Sequence, residues 1–152
     1  MINSAAARTI SELFNPEKDV TYFIPKYQRE YVWGKNNWEL LFDDIVSNDN
    51  NHFMGSIICI NTKTDAVDKD NLELIDGQQR MTTLSILFMA IYDHLSSFKA
   101  SIEDEEELSE FNSELLNLKY KLILKSDRKS LRLTPSVSGK NKQDYEHLFS
   151  FE

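Results

Sequence analysis

The 152 residues, 41% hydrophobic and 28% charged, have the length and composition of one ordinary globular domain. The single cysteine excludes a disulfide scaffold, and the net charge of −8 excludes unspecific DNA binding over the whole surface. No run approaches the ~18 apolar residues of a membrane span, and the first residues lack the features of a signal peptide, so we expect a cytoplasmic protein.

The first half of the chain predicts helices and strands in alternation. Apolar residues three and four positions apart mark the helices, whereas β-branched and aromatic runs mark the strands. The second helix carries its apolar residues on one face, which predicts packing against a sheet. Gly55 lies inside the second strand and predicts that another group approaches its backbone closely. These elements are a helix over residues 5–14, a strand over 21–24, a helix over 38–45 and a strand over 53–60.

The second half begins with a strand, a glycine turn and a long helix. Residues 72–75 read as the strand, and after Gly77 the apolar residues follow the period of a helix as far as Leu95. A further helix is expected from Ser101, whose hydroxyl would cap it together with Asp104 three positions on. The remaining predicted elements are strands over residues 120–124 and 131–133 and a helix over 145–149.

Polar side chains crowd the turn between the strand at 72–75 and the long helix, in the run Asp-Gly-Gln-Gln-Arg-Met-Thr-Thr. The glycine and the first helical turn present backbone N–H groups to an anion, and Arg80 can fork two hydrogen bonds onto phosphate oxygens. Gln78 and Gln79 can hold phosphate oxygens or orient water, and Asp76 can bind Mg²⁺ or accept a proton. A plain turn capped by Asp76 is the alternative. The Walker ending is missing, so the P-loop mechanism does not apply.

A second polar cluster, residues 24–33, follows the strand at 21–24. Its aromatic side chains interleave with Lys26, Gln28 and Arg29, a combination that suits a nucleobase with its phosphates. Asp44, on the helix that follows, is a candidate to orient Arg29 or the arginine of the glycine turn, or else a simple surface charge.

The charges are distributed unevenly along the chain. Five acids form the block 103–107, whereas residues 119–142 hold eight basic residues against one acid, Asp127, which gives a local charge of 8 − 1 = +7. A solvated basic surface and a patch that faces DNA phosphates are both open interpretations. The candidates to face DNA are Lys121, Lys125, Arg128, Lys129 and Arg132.

The remaining reactive residue types give little sign of other chemistry. Cys59 lies in an apolar run, which favours a buried and inert thiol over a nucleophile. The three histidines have no spacing with cysteine or acidic residues that indicates a zinc site. No acidic pair has the spacing of a nuclease centre.

Together, the two polar clusters and the segment between them resemble the amino-terminal domain of GmrSD-type restriction enzymes, which act on modified DNA. The specific motifs fall within about residues 8–95, and the helical and basic part at about 100–152 is only loosely similar. The segments that carry the resemblance are Ile24–Trp33, Trp38–Ile45, His52–Ile57 and Leu74–Leu84.

The resemblance implies a single domain over residues 1–152 with an α+β fold of the ParB/sulfiredoxin-like kind, in which helices flank a small mixed sheet. It also implies regulatory hydrolysis of a nucleoside triphosphate, with GTP, ATP, UTP and CTP all open, in the presence of Mg²⁺. The expected partners are modified DNA and a nuclease domain or subunit that this chain lacks; a homo-oligomer stays open. Gln78 stands where sulfiredoxin-like enzymes have a reactive cysteine, so sulfiredoxin chemistry is not expected.

The resemblance marks Asp76–Arg80 as the nucleotide-handling signature, and the chemistry of the residues adds the second cluster to the expected site. An alternative function, a non-enzymatic module that reads modified DNA, remains open. Loss of both activities, leaving a protein-interaction domain, is a third interpretation. The expected catalytic residues are Asp76, Gln78, Gln79 and Arg80, with Asp76 as the Mg²⁺ ligand. The expected nucleotide-binding residues are Tyr27, Gln28, Arg29, Gly55, Gly77, Thr82 and Thr83, supported by Asp44.

Overall fold

The computed structural model describes residues 5–47, 53–62, 70–135 and 140–151. In these residues, helices alternate with short strands, and a 3₁₀ turn at Lys99–Ser101 joins the two longest helices. The helices are α1 (Ile10–Leu13), α2 (Lys35–Ser47), α3 (Gln78–Phe98), α4 (Glu105–Leu122) and α5 (Lys140–Leu148). The strands are β1 (Val20–Phe23), β2 (Ile58–Asn61), β3 (Asp70–Asp76) and β4 (Leu133–Thr134).

The strands form one mixed sheet in the order β2-β3-β1-β4. β1 pairs in parallel with β3 on one side and with β4 on the other, whereas β2 runs antiparallel to β3 at the edge. The carboxyl ends of the three parallel strands therefore meet at the same edge of the sheet. This architecture confirms the predicted α+β class with a small mixed sheet and flanking helices.

The core lies between the sheet and the helices. Leu74 of β3 and Met81 of α3 are fully buried, together with Phe14, which follows α1. The predicted one-sided packing of α2 is modest, because Leu41 is its only fully buried residue. No helix in the described ranges is long and apolar enough to cross a membrane.

Several predicted element boundaries were wrong; for example, the helix predicted over 5–14 is only the four-residue α1, and the helix predicted over 145–149 begins at Lys140. The strand predicted over 120–124 begins as the end of α4, which continues to Leu122, and only Ile123 makes a β-bridge, with Leu131. Asp104, rather than Ser101, caps α4 by accepting a hydrogen bond from the Glu107 amide. The described residues from 53 to 57 are irregular, since the strand predicted over 53–60 begins only at residue 58.

Candidate functional site

The turn between β3 and α3 is built on Gly77, which has a φ of +92° at the N-terminus of the helix. A left-handed φ favours glycine because a side chain would clash there. A Cβ atom at Gly77 would lie 3.0 Å from Cγ1 of Ile57 and 3.3 Å from the carbonyl oxygen of Ser56. The space beside Gly77 is therefore occupied by the chain itself, in the segment that leads into β2.

The Arg80 guanidinium is directed at that same segment. It donates one hydrogen bond to the carbonyl oxygen of Met54 and a second, 2.8 Å long, to that of Ser56. Gly55 lies between these acceptors with a φ of +99°, and a Cβ atom there would lie 1.8 Å from Nη1 of Arg80. The close approach predicted for the Gly55 backbone is therefore present. The two hydrogen bonds that the sequence suggested Arg80 would give to a phosphate are given to two carbonyl groups instead.

Both glutamines of the turn contact the segment that follows β1. Nε2 of Gln78 donates to Oε1 of Gln28 at 3.1 Å, and Nε2 of Gln28 donates to the carbonyl oxygen of Ile75 at 2.8 Å. The Gln79 amide accepts from the N–H of Val32 and donates to the carbonyl oxygen of Glu30, at 3.0 Å each. Gln79 thus uses both ends of its amide to hold residues 30–32.

A chain of hydroxyl groups fastens the same segment to α3. The Thr83 hydroxyl donates to the carbonyl oxygen of Gln79 at 2.8 Å, so the Tyr31 hydroxyl, 2.8 Å away, is the donor to Thr83. Nε1 of Trp38 in turn donates to the Tyr31 hydroxyl at 2.6 Å. Thr83 therefore positions the segment after β1, and its hydrogen-bonding capacity is used within the protein.

Three further predicted residues lie at the surface. The Tyr27 hydroxyl donates to Oε1 of Glu73 at 2.6 Å, and this bond raises the pKa of Tyr27. Asp76 is exposed at the end of β3, and Asp44 is exposed on α2. None of these three side chains lines the cavity described next.

A cavity of about 330 Å³ opens at the edge where the three parallel strands end. We call it the edge cavity. Its volume is at the lower end of the ~300–1,000 Å³ range of small-molecule sites, and ligands of open α/β sheets bind at the carboxyl ends of the strands. It is lined by Ile24, Arg29, Glu30, Tyr31, Gln78, Gln79, Thr82, Ile86, Pro135, Asp144, Tyr145 and Leu148.

Two buried polar atoms of the edge cavity have no hydrogen-bond partner within the described chain: Oε1 of Gln78 and the hydroxyl of Thr82. Gln78 is 8% exposed and Thr82 is 4% exposed. Buried polar atoms are almost always hydrogen-bonded, because leaving one without a partner costs about 1–3 kcal/mol. These two atoms thus mark a place where a polar ligand or water would be stabilised.

Sequence reasoning missed the part of the cavity contributed by the C-terminal third of the chain. Pro135 follows β4, while Asp144, Tyr145 and Leu148 belong to α5. Asp144 and Tyr145 lie in the part of the chain whose resemblance is only loose, and nothing local in the sequence shows that β4 lies beside β1. Burial raises the pKa of Tyr145 well above its usual value, so its hydroxyl stays neutral.

A magnesium ion would have few ligands from the protein. The described ranges contain no cluster of three His, Cys, Asp or Glu side chains that could hold a metal. Mg²⁺ at nucleotide sites is commonly bound by one or two carboxylates together with phosphates and water, so Asp76 fits that limited role. His52 of the third motif lies outside the described residues.

The basic stretch is less available to DNA than its sequence indicates. Arg132 is 1% exposed, and its guanidinium donates to carbonyl oxygens of residues 18, 20, 120 and 121. Its assignment as a DNA-facing residue was therefore wrong. Lys125 pairs with Glu17, and the half-buried Lys121 lies 6.0 Å from the centre of the Phe88 ring.

Arg128 and Lys129 are the exposed members of the DNA-facing set without a side-chain partner among the described residues. Lys142, elsewhere in the stretch, pairs with Glu146 at 3.4 Å. The side chain of Lys140 lies outside the described residues. Many of the basic side chains behind the local charge of +7 are therefore used in contacts within the protein, and Arg128 and Lys129 form a short exposed loop.

Cys59 is half-buried on β2. Burial raises the pKa of its thiol to about 11. Because the thiolate is the nucleophilic form, a pKa in that range favours the inert thiol expected from the sequence.

The sequence was compared with family models and with curated proteins. The model described as "GmrSD restriction endonuclease, N-terminal domain" matches residues 10–151. The comparison with curated proteins gave no match. The family match runs through both polar clusters, α4, β4 and α5, and so includes every lining residue of the edge cavity. The chain therefore belongs to the family of N-terminal domains of GmrSD restriction endonucleases.

Proposed function

We propose that this domain binds a nucleoside triphosphate in the edge cavity and hydrolyses it as a regulatory step of a restriction system. The observation that carries the proposal is a ligand-sized cavity with two buried polar atoms, on Gln78 and Thr82, that lack a partner in the described chain. A bound ligand with polar groups would remove the cost of leaving them unpaired. The family supplies the restriction context.

Arg29 is the residue of the edge cavity best suited to phosphate. It is exposed, lines the cavity, and its guanidinium has no hydrogen-bond partner among the described residues. A free guanidinium can form two parallel hydrogen bonds with phosphate oxygens. Arg29 thus takes the phosphate-binding role that the sequence suggested for Arg80. The Arg80 guanidinium instead donates its hydrogen bonds to the carbonyl groups of residues 54 and 56.

Asp76 is the carboxylate assigned to Mg²⁺. It is exposed two residues before Gln78, and its carboxylate accepts no hydrogen bond from a described residue. Mg²⁺ would neutralise phosphate charge and hold the triphosphate against the protein. Gln79 and Thr83 keep the wall of the cavity in place through their bonds to residues 30–32.

The test is binding and phosphate release with Mg²⁺ and each of GTP, ATP, UTP and CTP. Arg29→Ala should raise the Kd about tenfold or more, because a charge-assisted pair of hydrogen bonds is lost. Arg128→Ala is the matched control, since Arg128 is also exposed but does not line the cavity. Asp76→Asn should retain binding of metal-free nucleotide and lose phosphate release.

Two results would overturn the proposal. The first is that no nucleotide binds the wild-type domain at millimolar concentration. The second is that Arg29→Ala and Arg128→Ala change binding to the same extent, which would place the nucleotide elsewhere.

The alternative function, direct reading of modified DNA, has less support. Arg132 is internal and Lys125 is paired, so few of the candidate phosphate contacts remain.

A further inference from the structure

The polar groups around the edge cavity are mainly hydrogen-bond acceptors. Glu30 and Asp144 are exposed carboxylates among its lining residues, and Gln78 offers a carbonyl oxygen without a partner in the described chain. Arg29 is the charged donor among the lining residues. The Thr82 hydroxyl can act either way. A ligand that fills this cavity must therefore bring N–H or O–H donors of its own.

Phosphate groups do not meet that requirement. A triphosphate carries acceptor oxygens and several negative charges, and the carboxylates of Glu30 and Asp144 would repel it. The rest of the lining includes hydrocarbon and aromatic surface from Ile24, Ile86 and Tyr145. Such a surface suits a flat heterocycle, with a few polar groups that fix its orientation. The exposed Arg29 can hold the phosphates, whereas the rest of the lining is better suited to the base of the nucleotide.

We infer that the edge cavity selects guanine, with the Asp144 carboxylate accepting hydrogen bonds from the N1–H and the 2-amino group. This inference rests on the proposed function and specifies its substrate class. Guanine presents two adjacent N–H donors, which match the two oxygens of a carboxylate in a bidentate pair. The Thr82 hydroxyl, which is free to donate, complements the acceptor O6 on the same side of the base.

The other common bases lack this pair of donors. Adenine and cytosine each place one amino group beside a ring nitrogen that is itself an acceptor. Uracil places a single N–H between two carbonyl oxygens. A carboxylate opposite any of these three edges would face at least one acceptor atom, and two acceptors brought together repel each other.

The test measures equilibrium binding of GTP, ITP, XTP and ATP by calorimetry. Inosine lacks the 2-amino group of guanosine, and xanthosine has a carbonyl oxygen in its place. GTP should bind at least about tenfold more tightly than ITP, which loses one hydrogen bond to a charged group, and more tightly still than ATP, which loses both. Asp144→Asn should reverse the preference from GTP to XTP, because the new amide can donate to the 2-carbonyl while accepting from N1–H.

Glu146→Gln is the matched control on the same helix. It removes the same charge, and Glu146 does not line the cavity. It should leave the order of affinities unchanged. Because Asp144 is exposed, Asp144→Asn should fold normally, which circular dichroism can check.

The possible failures are distinguishable. Equal affinities for GTP, ITP and ATP in the wild type, with Arg29→Ala weakening all of them, would overturn the guanine assignment and keep the proposed function. A preference for GTP that survives Asp144→Asn would likewise remove Asp144 from the assignment. Absence of binding by every nucleotide would overturn both.

Discussion

Two sides of the first turns of α3 differ in how their polar groups are satisfied. On one side, Arg80 donates to two carbonyl groups across Gly55, and Thr83 joins a hydrogen-bonded chain that reaches Tyr31. On the other side, Gln78 and Thr82 leave buried polar atoms without partners in the described chain, beside a cavity. The same dense motif therefore contains side chains that hold neighbouring segments and side chains that remain available.

The difference shows how a polar motif can be divided into structural and ligand-binding residues. A side chain whose donors and acceptors are matched within the protein contributes stability, since its loss leaves partners unpaired. A buried side chain with an unmatched atom lowers stability, and such exceptions call for a ligand, a water or a functional explanation. We therefore expect substitutions on the Arg80 side to change the free energy of unfolding and substitutions on the Thr82 side to change nucleotide binding.

The largest expected loss of stability is at Gly55. A methyl group there would be held at a φ of +99° and would collide with the Arg80 guanidinium. Gly55→Ala should lower the free energy of unfolding by about 3 kcal/mol, from backbone strain together with loss of the Arg80 bonds. Urea denaturation followed by circular dichroism measures this. A change below about 1 kcal/mol would show that the close contact is not maintained in solution.

The next largest effect is expected at Arg80 itself. Arg80→Met keeps an unbranched stem of similar bulk but removes both bonds to the segment before β2, and should cost about 1.5–3 kcal/mol. Combined with Gly55→Ala, the loss should be clearly smaller than the sum, because both changes remove the same contact. Nucleotide affinity of the folded variant should stay within about threefold of the wild type. A loss of affinity without a loss of stability would instead favour a phosphate-binding Arg80.

Two adjacent threonines allow the most direct comparison between a structural and a ligand-binding side chain. Thr82 and Thr83 are 4% and 7% exposed, and valine matches the shape of each. Thr83→Val should lower the free energy of unfolding by about 1–2 kcal/mol, because its hydroxyl has two partners. Thr82→Val should leave stability equal or slightly higher and weaken nucleotide binding, because that hydroxyl has no partner in the described chain. Loss of stability in Thr82→Val together with weaker nucleotide binding in Thr83→Val would contradict the division into structural and ligand-binding residues.

The smallest effect is expected in the exposed loop of the basic stretch. Replacing Arg128 and Lys129 by alanine removes two cations without described side-chain partners and should leave stability and nucleotide binding unchanged. If this loop contacts DNA, the slope of log affinity against log salt should fall by at most about 1.8, near 0.9 per phosphate. Fluorescence anisotropy over a salt series gives the slope. A larger fall would mean that the loop organises a wider DNA surface.

Much of the fold followed from local pattern, because the relevant signals are close in sequence. The change from strand to helix at Gly77, for example, depends only on neighbouring residues. The end of α4 was misjudged because its apolar residues beyond Lys119 suit a strand as well as a helix. Local pattern could not show that Arg132 is internal, since its four acceptors come from distant segments.

The sequence predicted which segments form the candidate site better than it predicted which of their side chains face a ligand. The sequence predicted that residues 24–33 and 76–83 form one site, and in the structure a hydrogen bond from Gln78 to Gln28 joins the two segments. It could not decide which members face a ligand, because Arg80 and Arg29 have the same chemistry and differ only in what surrounds them. The contribution of α5 depends on the parallel pairing of β1 with β4, which no local pattern encodes.

The most direct test of the edge cavity needs no substitution. In an NMR titration of ¹⁵N-labelled domain with Mg²⁺ and GTP, the side-chain amide signals of Gln78 should shift, while the Nε–H signal of Arg80 stays in place. A shift at Arg80 with the Gln78 amide unchanged would contradict the account and return the nucleotide to the Gly77 turn.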